Sequence, residues 1–371
     1  MYAVVLAGGK GTRLWPLSTP ERPKPFLRLI GQETLIQRSV ARLSPLIEPA
    51  DVYVVAERRH QALVREQLPE IPETNLLAEP VGRNTAAAVA FAAEAIERPD
   101  GEPMFVLPAD AHIADEEGLR RALAAAAEVA ADGGRLVTLG IAPDRPESGY
   151  GYVLARPPAR NVAGQEVLDV ERFIEKPTAE AAAALIATGL ASWNAGIFVW
   201  TRGAVRSRLD RHAPDIAGPI RAACAAAAAG ELGVLDRAYE SLRATSIDYA
   251  VLEPASLEGA VSVVPVDVGW SDLGSWSALR DAWQRELGDG AGSAPGTGNR
   301  RDLGSTGCLV LAGDRLVVTI GLRDTIVVDT PEALLVCSAE RSQEVKMIAE
   351  DLAGAKADAD PAGASVEGGR S

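Results

Sequence analysis

Cysteine is scarce in this chain: Cys224, Cys308 and Cys337 are its three cysteines among 371 residues. Such an odd, scattered set argues against a disulfide framework and fits a reducing compartment, so we expect a cytoplasmic protein. No apolar run reaches the ~18 residues of a membrane helix, and no basic segment leads into an apolar one, so neither a membrane span nor a secretory signal is expected. Positive charge is also in deficit, with a formal net charge of −14. We therefore expect no nucleic-acid partner, although an acidic protein can still bind phosphates locally.

Short apolar runs alternate with helical stretches over roughly the first 285 residues. The predicted strands are Tyr2–Leu6, Asp51–Val55, Met104–Leu107, Leu136–Ile141, Ile197–Trp200 and Val261–Val266. The predicted helices include Thr34–Leu43, Thr85–Ile96, Glu116–Ala131 and the alanine run Ala222–Ala229. This alternation predicts an α/β domain with a mostly parallel sheet covered by helices. Ligands bind such sheets at the carboxyl ends of the strands, so the loops that follow the strands are the first places to search.

Glycine, proline and small residues from Gly288 to Gly298 predict a linker. Beyond it, short apolar runs separated by turns predict a small β domain over residues 299–350. The sequence from residue 353 to 371 has almost no apolar bulk and is expected to be a disordered tail. The main domain is thus predicted to span residues 1–287.

A glycine-rich loop follows the first predicted strand. Ala7-Gly8-Gly9 continues into Lys10-Gly11-Thr12-Arg13, and backbone N–H groups of such a loop can cradle an anion. Arg13 and Lys24 add cations suited to phosphate. A P-loop is excluded because Gly11, rather than serine or threonine, follows Lys10, and the spacing of a dinucleotide fingerprint is absent. Taken alone, the loop is equally compatible with an ordinary glycine turn that carries exposed basic residues.

The run LAGGKGTRLWPLS, followed by RPKPF, resembles the signature of sugar-1-phosphate nucleotidyltransferases, in the variant of the mannose-1-phosphate guanylyltransferases. Further segments match this family in order: Glu79–Thr85, Leu107–Asp110, Ser148–Tyr152, Phe173–Pro177, Trp193–Phe198, Ser246–Glu253 and Gly269–Trp276. The chain departs from the family pattern at Thr19, Pro25 and Ala111.

This resemblance implies a Rossmann-like nucleotidyltransferase domain with a mixed, mostly parallel sheet, followed by a small C-terminal β-helix-like domain, as in the short monofunctional form. The implied reaction transfers GMP from GTP to mannose 1-phosphate, giving GDP-mannose and pyrophosphate. The implied cofactor is Mg²⁺, which assists an in-line attack without a covalent enzyme intermediate. The unpaired edges of the β domain suggest a homodimer.

The resemblance also implies roles for individual residues. Arg13 and Lys24 would be catalytic, and Asp110 and Asp272 would hold the metal. The implied nucleotide-binding residues are Leu6, Ala7, Gly8, Gly9, Gly11, Thr12, Arg13, Glu79, Gly82, Arg83, Asn84, Thr85, Pro108 and Asp110. The implied sugar-phosphate-binding residues are Tyr150, Gly151, Glu175, Lys176 and Asn194.

Each of these segments also has a structural interpretation. Asn84 or Thr85 is a plausible helix N-cap, Asp110 a turn former, and His112 a partly buried loop histidine. Glu175 and Lys176 alone would suit a surface ion pair, and the segment 246–253 a structural helix. Two rival functions also stay open: transfer to another sugar 1-phosphate or from another nucleotide, and a non-catalytic nucleotide-sugar sensor.

Overall fold

The computed structural model of the chain describes residues 1–9, 11–287 and 296–359. These residues form two compact units. The first comprises Met1–Gly9 and Gly31–Asp272, and the second comprises Lys10–Ile30 together with Leu273–Ser371. Residues from the N-terminal region therefore belong to the same unit as the C-terminal part of the chain.

The first unit is built on a nine-stranded sheet within its described residues. Its strands are β1 (Tyr2–Leu6), β2 (Val52–Glu57), β3 (Leu76–Glu79), β4 (Pro103–Pro108), β5 (Leu136–Ile141), β6 (Gly151–Val162), β7 (Gln165–Glu175), β8 (Ala191–Thr201) and β9 (Val261–Val266). The order across the sheet is β3-β2-β1-β4-β8-β5-β9-β7-β6. The apolar strand β1 lies in the interior of this sheet, where both of its faces are covered.

The sheet is mixed. β1 pairs in parallel with β2 and β4, and β5 pairs in parallel with β9. β8 runs antiparallel to β4 and β5, and β6 and β7 form an antiparallel hairpin. Because β8 runs in the opposite direction, its first residues lie beside the last residues of β5, with Asn194 opposite Gly140. The start of β8 is thereby placed at the edge where ligands bind in α/β sheets.

The helices of the first unit are α1 (Leu35–Ala41), α2 (Gln61–Gln67), α3 (Asn84–Ala95), α4 (Glu116–Ala131), α5 (Ala179–Ala187), α6 (Arg202–His212), α7 (Pro214–Ala228), α8 (Val234–Ser241) and α9 (Glu253–Leu257). A π-helical turn, Asp248–Leu252, directly precedes α9. Helix α4 begins where Asp115 accepts a hydrogen bond from the Gly118 N–H. Helix α3 is buried continuously from Ala86 to Ala93, because its small side chains allow close packing on every side.

The second unit contains the strands β10 (Gly296–Thr297), β11 (Arg300–Leu303), β12 (Leu309–Leu311), β13 (Val317–Ile320), β14 (Thr325–Asp329) and β15 (Leu334–Ser338), and the helices α10 (Trp276–Leu287) and α11 (Val345–Ala359). β10, β12 and β14 pair in parallel, as do β11 and β13, and β15 closes on β14 in antiparallel. Parallel pairing of such short successive strands is the arrangement of a β-helix. Its small core contains Cys308, Val310 and Val327.

The predicted α/β class and mixed sheet are confirmed, and β1, β5, β9 and α4 have the predicted bounds. The β6–β7 hairpin was not predicted, and β8 begins at Ala191 rather than at Ile197. Helix α11 continues to Ala359, past residue 353 where the disordered tail is predicted to begin, and the tail itself stays a prediction. Its alanine-rich sequence has a high helix propensity. The remainder of that tail, and the linker residues 288–295, lie outside the described residues, and the domain boundaries stay a prediction.

No helix in the described ranges combines the length and the apolar character needed to cross a membrane.

Candidate active site

The loop after β1 lies beside the end of β4. Leu6 is the register partner of Pro108, and the Ala109 N–H donates to the Leu6 carbonyl oxygen at 3.0 Å. The structure thus brings the predicted residues Leu6–Gly9 together with Pro108–Asp110. Gly8 and Gly9 are exposed, with open space where a Cβ would lie, and Gly9 has a φ of 101°. The exposed backbone of this loop is therefore accessible to a ligand.

The two carboxylates predicted to bind metal follow different strands of the sheet. An isolated antiparallel bridge joins His112 to Ser271, with the N–H of each donating to the carbonyl oxygen of the other at 2.9 and 3.0 Å. In this register Asp272 lies opposite Ala111, next to Asp110. His112 is buried, in agreement with its structural interpretation as a loop histidine. The bridge therefore places Asp110 and Asp272 on adjacent segments.

The Tyr150 hydroxyl donates a hydrogen bond to Asp272 Oδ1 at 2.7 Å. Its ring makes edge-to-face contacts with Trp193 and Trp270, at centroid distances of 5.1 and 5.4 Å. Burial, followed by the neighbouring Asp272 charge, raises the pKa of Tyr150 well above its ordinary value. Tyr150 is therefore a fixed neutral donor that orients the Asp272 carboxylate.

Arg145 stacks over the Trp193 ring, with its guanidinium carbon 5.1 Å from the ring centroid. Arg145 is not among the site residues predicted from the sequence. Arg145 lies in the loop after β5, and the rule that ligands bind beyond the carboxyl ends of strands would have identified it. Its half-exposed guanidinium is also paired with Asp144 Oδ1 at 2.9 Å.

Glu175 is the last residue of β7, where it is the register partner of Gly151, and Lys176 follows it directly. A Cβ on Gly151 would lie 2.4 Å from Glu175 Oε2, so glycine at this position lets the carboxylate keep its place. Lys176 Nζ donates to Glu175 Oε1 at 2.9 Å, with the lysine side chain 55% exposed and the glutamate 9%. Burial disfavours the lysine charge, but the bond to Glu175 and the negative charges of its neighbours together outweigh burial and raise the pKa of Lys176. The pair thus presents a permanent cation beside a nearly buried carboxylate.

Asn194 is held by three hydrogen bonds. Its Oδ1 accepts from Thr138 Oγ1 at 2.8 Å and from the Gly196 N–H at 3.2 Å. Its Nδ2 donates to Asp248 Oδ1 at 2.9 Å. The amide orientation is therefore fixed by its surroundings.

Asp248 is a site residue that the sequence analysis assigned no chemistry. It lies in the π-helical turn, and burial, reinforced by the nearby Glu175 charge, raises the pKa of Asp248 to about 7. No sequence signal distinguishes a buried aspartate from a solvated one at the start of a short helix. The fold buries it, and the bond to Asn194 connects it to the predicted sugar site.

The N-terminus of α3 packs against the segment before the π-helical turn. The Arg83 guanidinium donates to the carbonyl oxygens of Tyr239 and Glu240 at 2.7 and 3.2 Å. Thr85 Oγ1 accepts from the Ile247 N–H at 2.9 Å. Neither Asn84 nor Thr85 is the N-cap, because Arg83 occupies that position without a side-chain cap. Asn84 instead begins the helix with a φ of 69°, which asparagine tolerates.

Glu79 ends β3 and is buried, while the predicted Gly82 nearby is exposed. Glu79 Oε1 accepts a hydrogen bond from the Tyr239 hydroxyl at 3.1 Å. Burial raises the pKa of Glu79 to about 7, against the opposing effect of this hydrogen bond. Glu79 thus forms a buried polar pair with Tyr239.

The remaining predicted residues, Gly11, Thr12, Arg13 and Lys24, belong to the second unit. Gly11 has a φ of 58°, and a Cβ there would lie 2.7 Å from both Lys24 Cβ and Ser18 Oγ. Arg13 is half-buried and Lys24 is buried, each in a short 3₁₀ turn. Only glycine permits the two turns to pack this closely.

Two tryptophans of α10 hold this same N-terminal segment within the second unit. The Trp276 indole N–H donates to the Trp15 carbonyl oxygen at 3.0 Å, and that of Trp283 donates to the Leu29 carbonyl oxygen at 2.6 Å. These bonds join helix α10 to the N-terminal segment inside the second unit.

Comparison with known proteins gives this site a context. The family model described as nucleotidyl transferase matches residues 2–288. Mannose-1-phosphate guanylyltransferases from Escherichia coli and Klebsiella pneumoniae are 39% and 38% identical to the chain, over 95% of the chain and 74% of each relative. The chain belongs to the mannose-1-phosphate guanylyltransferase family. The family resemblance inferred from the sequence motifs is thereby confirmed.

The second unit and the overall structure agree with this guanylyltransferase family. A model described as the mannose-phosphate isomerase and GMP-like β-helix domain matches residues 298–352. A crystal structure from Thermus thermophilus, described as a mannose-1-phosphate geranyltransferase, superposes with a TM-score of 0.82 at 35% identity, covering 95% of this chain and 99% of that one. The predicted β-helix-like character of the C-terminal domain is confirmed.

Proposed function

We propose that the chain transfers GMP from GTP to mannose 1-phosphate, releasing pyrophosphate and forming GDP-mannose. The observation that carries this proposal is the backbone bridge between His112 and Ser271, which brings the carboxylates Asp110 and Asp272 onto adjacent segments. Membership of the guanylyltransferase family supports the choice of substrates.

Two adjacent carboxylates suit Mg²⁺, which commonly takes one or two protein carboxylates and completes its shell with water and phosphate oxygens. In the described part of the chain, no cluster of three or more acidic, histidine or cysteine side chains suits a metal, which agrees with such a shared shell. Asp110 and Asp272 would hold the ion, with Tyr150 orienting Asp272. Bound there, Mg²⁺ would supply positive charge to the phosphate groups.

The sugar phosphate is assigned to the edge formed by β7 and the start of β8. Lys176 would neutralise its phosphate, and Glu175 would accept hydrogen bonds from sugar hydroxyls. Gly151 leaves room for the Glu175 carboxylate to stay in place. Asn194 would face the sugar, with its amide orientation already fixed.

The nucleotide is assigned to the loop after β1 and to the start of α3. The exposed backbone of Gly8 and Gly9 suits its phosphates. Arg83 donates to the carbonyl oxygens of residues 239 and 240 and thereby fixes the start of α3, which makes it a positioning residue. Arg13 is proposed to stabilise the leaving pyrophosphate, and Lys24 the charge at the α-phosphate.

The reaction then needs no nucleophilic side chain. A phosphate monoester is already ionised, and its oxygen attacks the α-phosphorus of GTP as the bond to pyrophosphate breaks. Because two anions must approach each other, catalysis consists of positioning and electrostatic stabilisation.

The direct test measures pyrophosphate release from Mg²⁺, mannose 1-phosphate and each of GTP, ATP, UTP, CTP and dTTP in parallel. Strong release with GTP alone, abolished by EDTA, is the expected result. Release with another nucleotide, or only with another sugar 1-phosphate, would contradict the substrate assignment. If the chain binds GDP-mannose but releases no pyrophosphate with any pair of nucleotide and sugar phosphate, the result would instead support the non-catalytic nucleotide-sugar sensor.

A pair of variants tests the metal assignment. Asp110→Asn should abolish Mg²⁺-dependent turnover while GTP still binds weakly, because the ion loses a charged ligand. Asp132→Asn is the matched control, since Asp132 is exposed at the end of α4 that leads into β5. An Asp110→Asn protein with an ordinary rate at ordinary Mg²⁺ would place the metal elsewhere.

The homodimer stays a prediction. Leu303, Val318 and Ile320 on β11 and β13 are exposed apolar side chains that suit burial against a second copy. Sedimentation at micromolar protein should show a dimer, and a monomer alone would contradict the prediction.

A further inference from the structure

The amide of Asn194 has a single orientation that its neighbours impose. The Gly196 N–H can only donate, so the Asn194 side-chain atom that faces it at 3.2 Å must be the oxygen. Thr138 Oγ1, 2.8 Å from that same oxygen, therefore donates as well. The other branch of the amide is the nitrogen, and it lies 2.9 Å from Asp248 Oδ1.

Counting donors and acceptors shows what remains for a ligand. An amide oxygen accepts two hydrogen bonds, and both are used by Thr138 and Gly196. The amide nitrogen donates two, of which Asp248 accepts one. Within the described residues, Asn194 thus has one N–H left to offer and no acceptor capacity.

Asn194 itself lies at the edge where the sugar is assigned. A Cβ on Gly151 would lie 3.4 Å from Asn194 Cβ and 2.4 Å from Glu175 Oε2, so the three residues meet around one point. Glu175 offers acceptor oxygens there. Asn194 supplies the complementary donor.

We propose that Asp248 is a positioning residue that turns Asn194 into an obligatory hydrogen-bond donor, so that this subsite requires an acceptor oxygen on the sugar. The inference rests on the proposed function for the identity of that sugar. A hydroxyl is recognised there by its lone pair, while Glu175 recognises hydroxyls by their protons. The two side chains together distinguish the direction in which hydroxyl groups point.

The experiment uses mannose 1-phosphates in which each hydroxyl in turn is replaced by hydrogen or by fluorine, since fluorine keeps a weak acceptor and loses the donor. With the wild-type chain, one position should show a hydrogen analogue weaker in affinity than its fluorine analogue, by less than the roughly tenfold of a full hydrogen bond because fluorine accepts only weakly. In Asp248→Ala that ratio should fall towards one, and the KM for mannose 1-phosphate should rise about tenfold with the KM for GTP nearly unchanged. Asp248→Asn should restore both, because its amide oxygen can still accept from Asn194.

If Asp248 is merely structural, Asp248→Ala should raise the KM values for mannose 1-phosphate and GTP together. The ratio between the affinities of the hydrogen and fluorine analogues should then stay unchanged. Either result overturns the proposal. If Asp248→Ala does not fold, Asn194→Asp serves instead, since two carboxylates this close hold one proton between them and leave none to donate to the sugar. Affinity for mannose 1-phosphate in Asn194→Asp should then fall at least about tenfold, and unchanged affinity would refute the donor assignment.

A substrate-free measurement separates this inference from the proposed function. Asn194→Ala should lower the thermal midpoint of the wild-type chain, and it should lower the midpoint of the Asp248→Ala variant by less, because the shared hydrogen bond is lost only once. If the effects of the two substitutions are coupled in this way but the chain turns over no sugar phosphate, the proposed function is refuted and the inference about Asp248 is not. Strictly additive effects in an active enzyme would refute the inference alone.

Discussion

Glu79→Gln is expected to stabilise the protein in a pH-dependent way. Glu79 is buried beside Tyr239, and burial raises the pKa of its carboxyl from 4.5 to about 7. Between these values the unfolded chain releases the proton while the folded protein keeps it. The free energy of unfolding therefore decreases as the pH rises through this window, and the full penalty is present above pH 7. Glutamine has no such penalty, and its amide oxygen can still accept the Tyr239 hydrogen bond.

The size of the stabilisation follows from the difference between the pKa of Glu79 in the folded and the unfolded protein. A difference of 2.5 pH units between the folded and unfolded pKa corresponds to about 3 kcal/mol at 1.36 kcal/mol per unit. The glutamine variant should therefore gain up to about 3 kcal/mol on the wild-type chain at pH 8 and about 0.8 kcal/mol at pH 5. Relaxation of the buried pair would reduce this gain without changing its sign.

Thermal unfolding of both proteins from pH 5 to pH 8 measures the effect. The difference in midpoint between Glu79→Gln and the wild-type chain should grow steadily with pH. Glu70→Gln is the matched control, because that side chain is exposed to solvent in the folded protein as it is in the unfolded chain. A midpoint difference for Glu79→Gln that is constant with pH, or that shrinks towards pH 8, would refute the reasoning.

Three further predictions concern catalysis. Lys24→Ala should lower kcat/KM by at least ~10²-fold, the scale for losing one transition-state charge partner, and near wild-type turnover would contradict its role. Tyr150→Phe removes the donor to Asp272, so the Mg²⁺ concentration needed for half-maximal rate should rise about 10–100-fold, and an unchanged Mg²⁺ titration would contradict the orienting role. Gly151→Ala places a methyl group 2.4 Å from Glu175 Oε2 and displaces that carboxylate, so the KM for the sugar phosphate should rise about tenfold. An equal rise in the KM for GTP would show general damage instead.

The interior of the sheet could be predicted from the sequence, and its outer strands could not. Strands β1, β5 and β9 are continuous apolar runs because neighbours cover them. The outer half of β6 is exposed and contains Pro157 and Pro158 at an irregularity in its pairing with β7. Consecutive prolines remove ladder donors and are typical of edge positions, so this segment lacks the ordinary pattern of a strand.

Some residues of the candidate site could likewise be predicted from the sequence, and others could not. Asp110 and Asp272 could be located because loops after buried strands collect ligands. Asp248 could not, because its partner Asn194 is more than fifty residues away and only the tertiary fold brings the two together. Arg145 lies in the loop after the buried strand β5, so the same rule predicts a ligand-binding position there.

The bonds from Trp276 and Trp283 to the N-terminal segment bear on how the chain is made. The segment that carries Arg13 and Lys24 leaves the ribosome early, yet its partners in the second unit begin at Leu273. Between them stand the 242 residues from Gly31 to Asp272, whose synthesis at ~5–20 residues per second takes about 12–50 s. During that interval the basic segment has none of the carbonyl contacts that α10 later makes with it. The nascent protein can thus complete its large sheet first, and Arg13 and Lys24 acquire their final arrangement only near the end of translation.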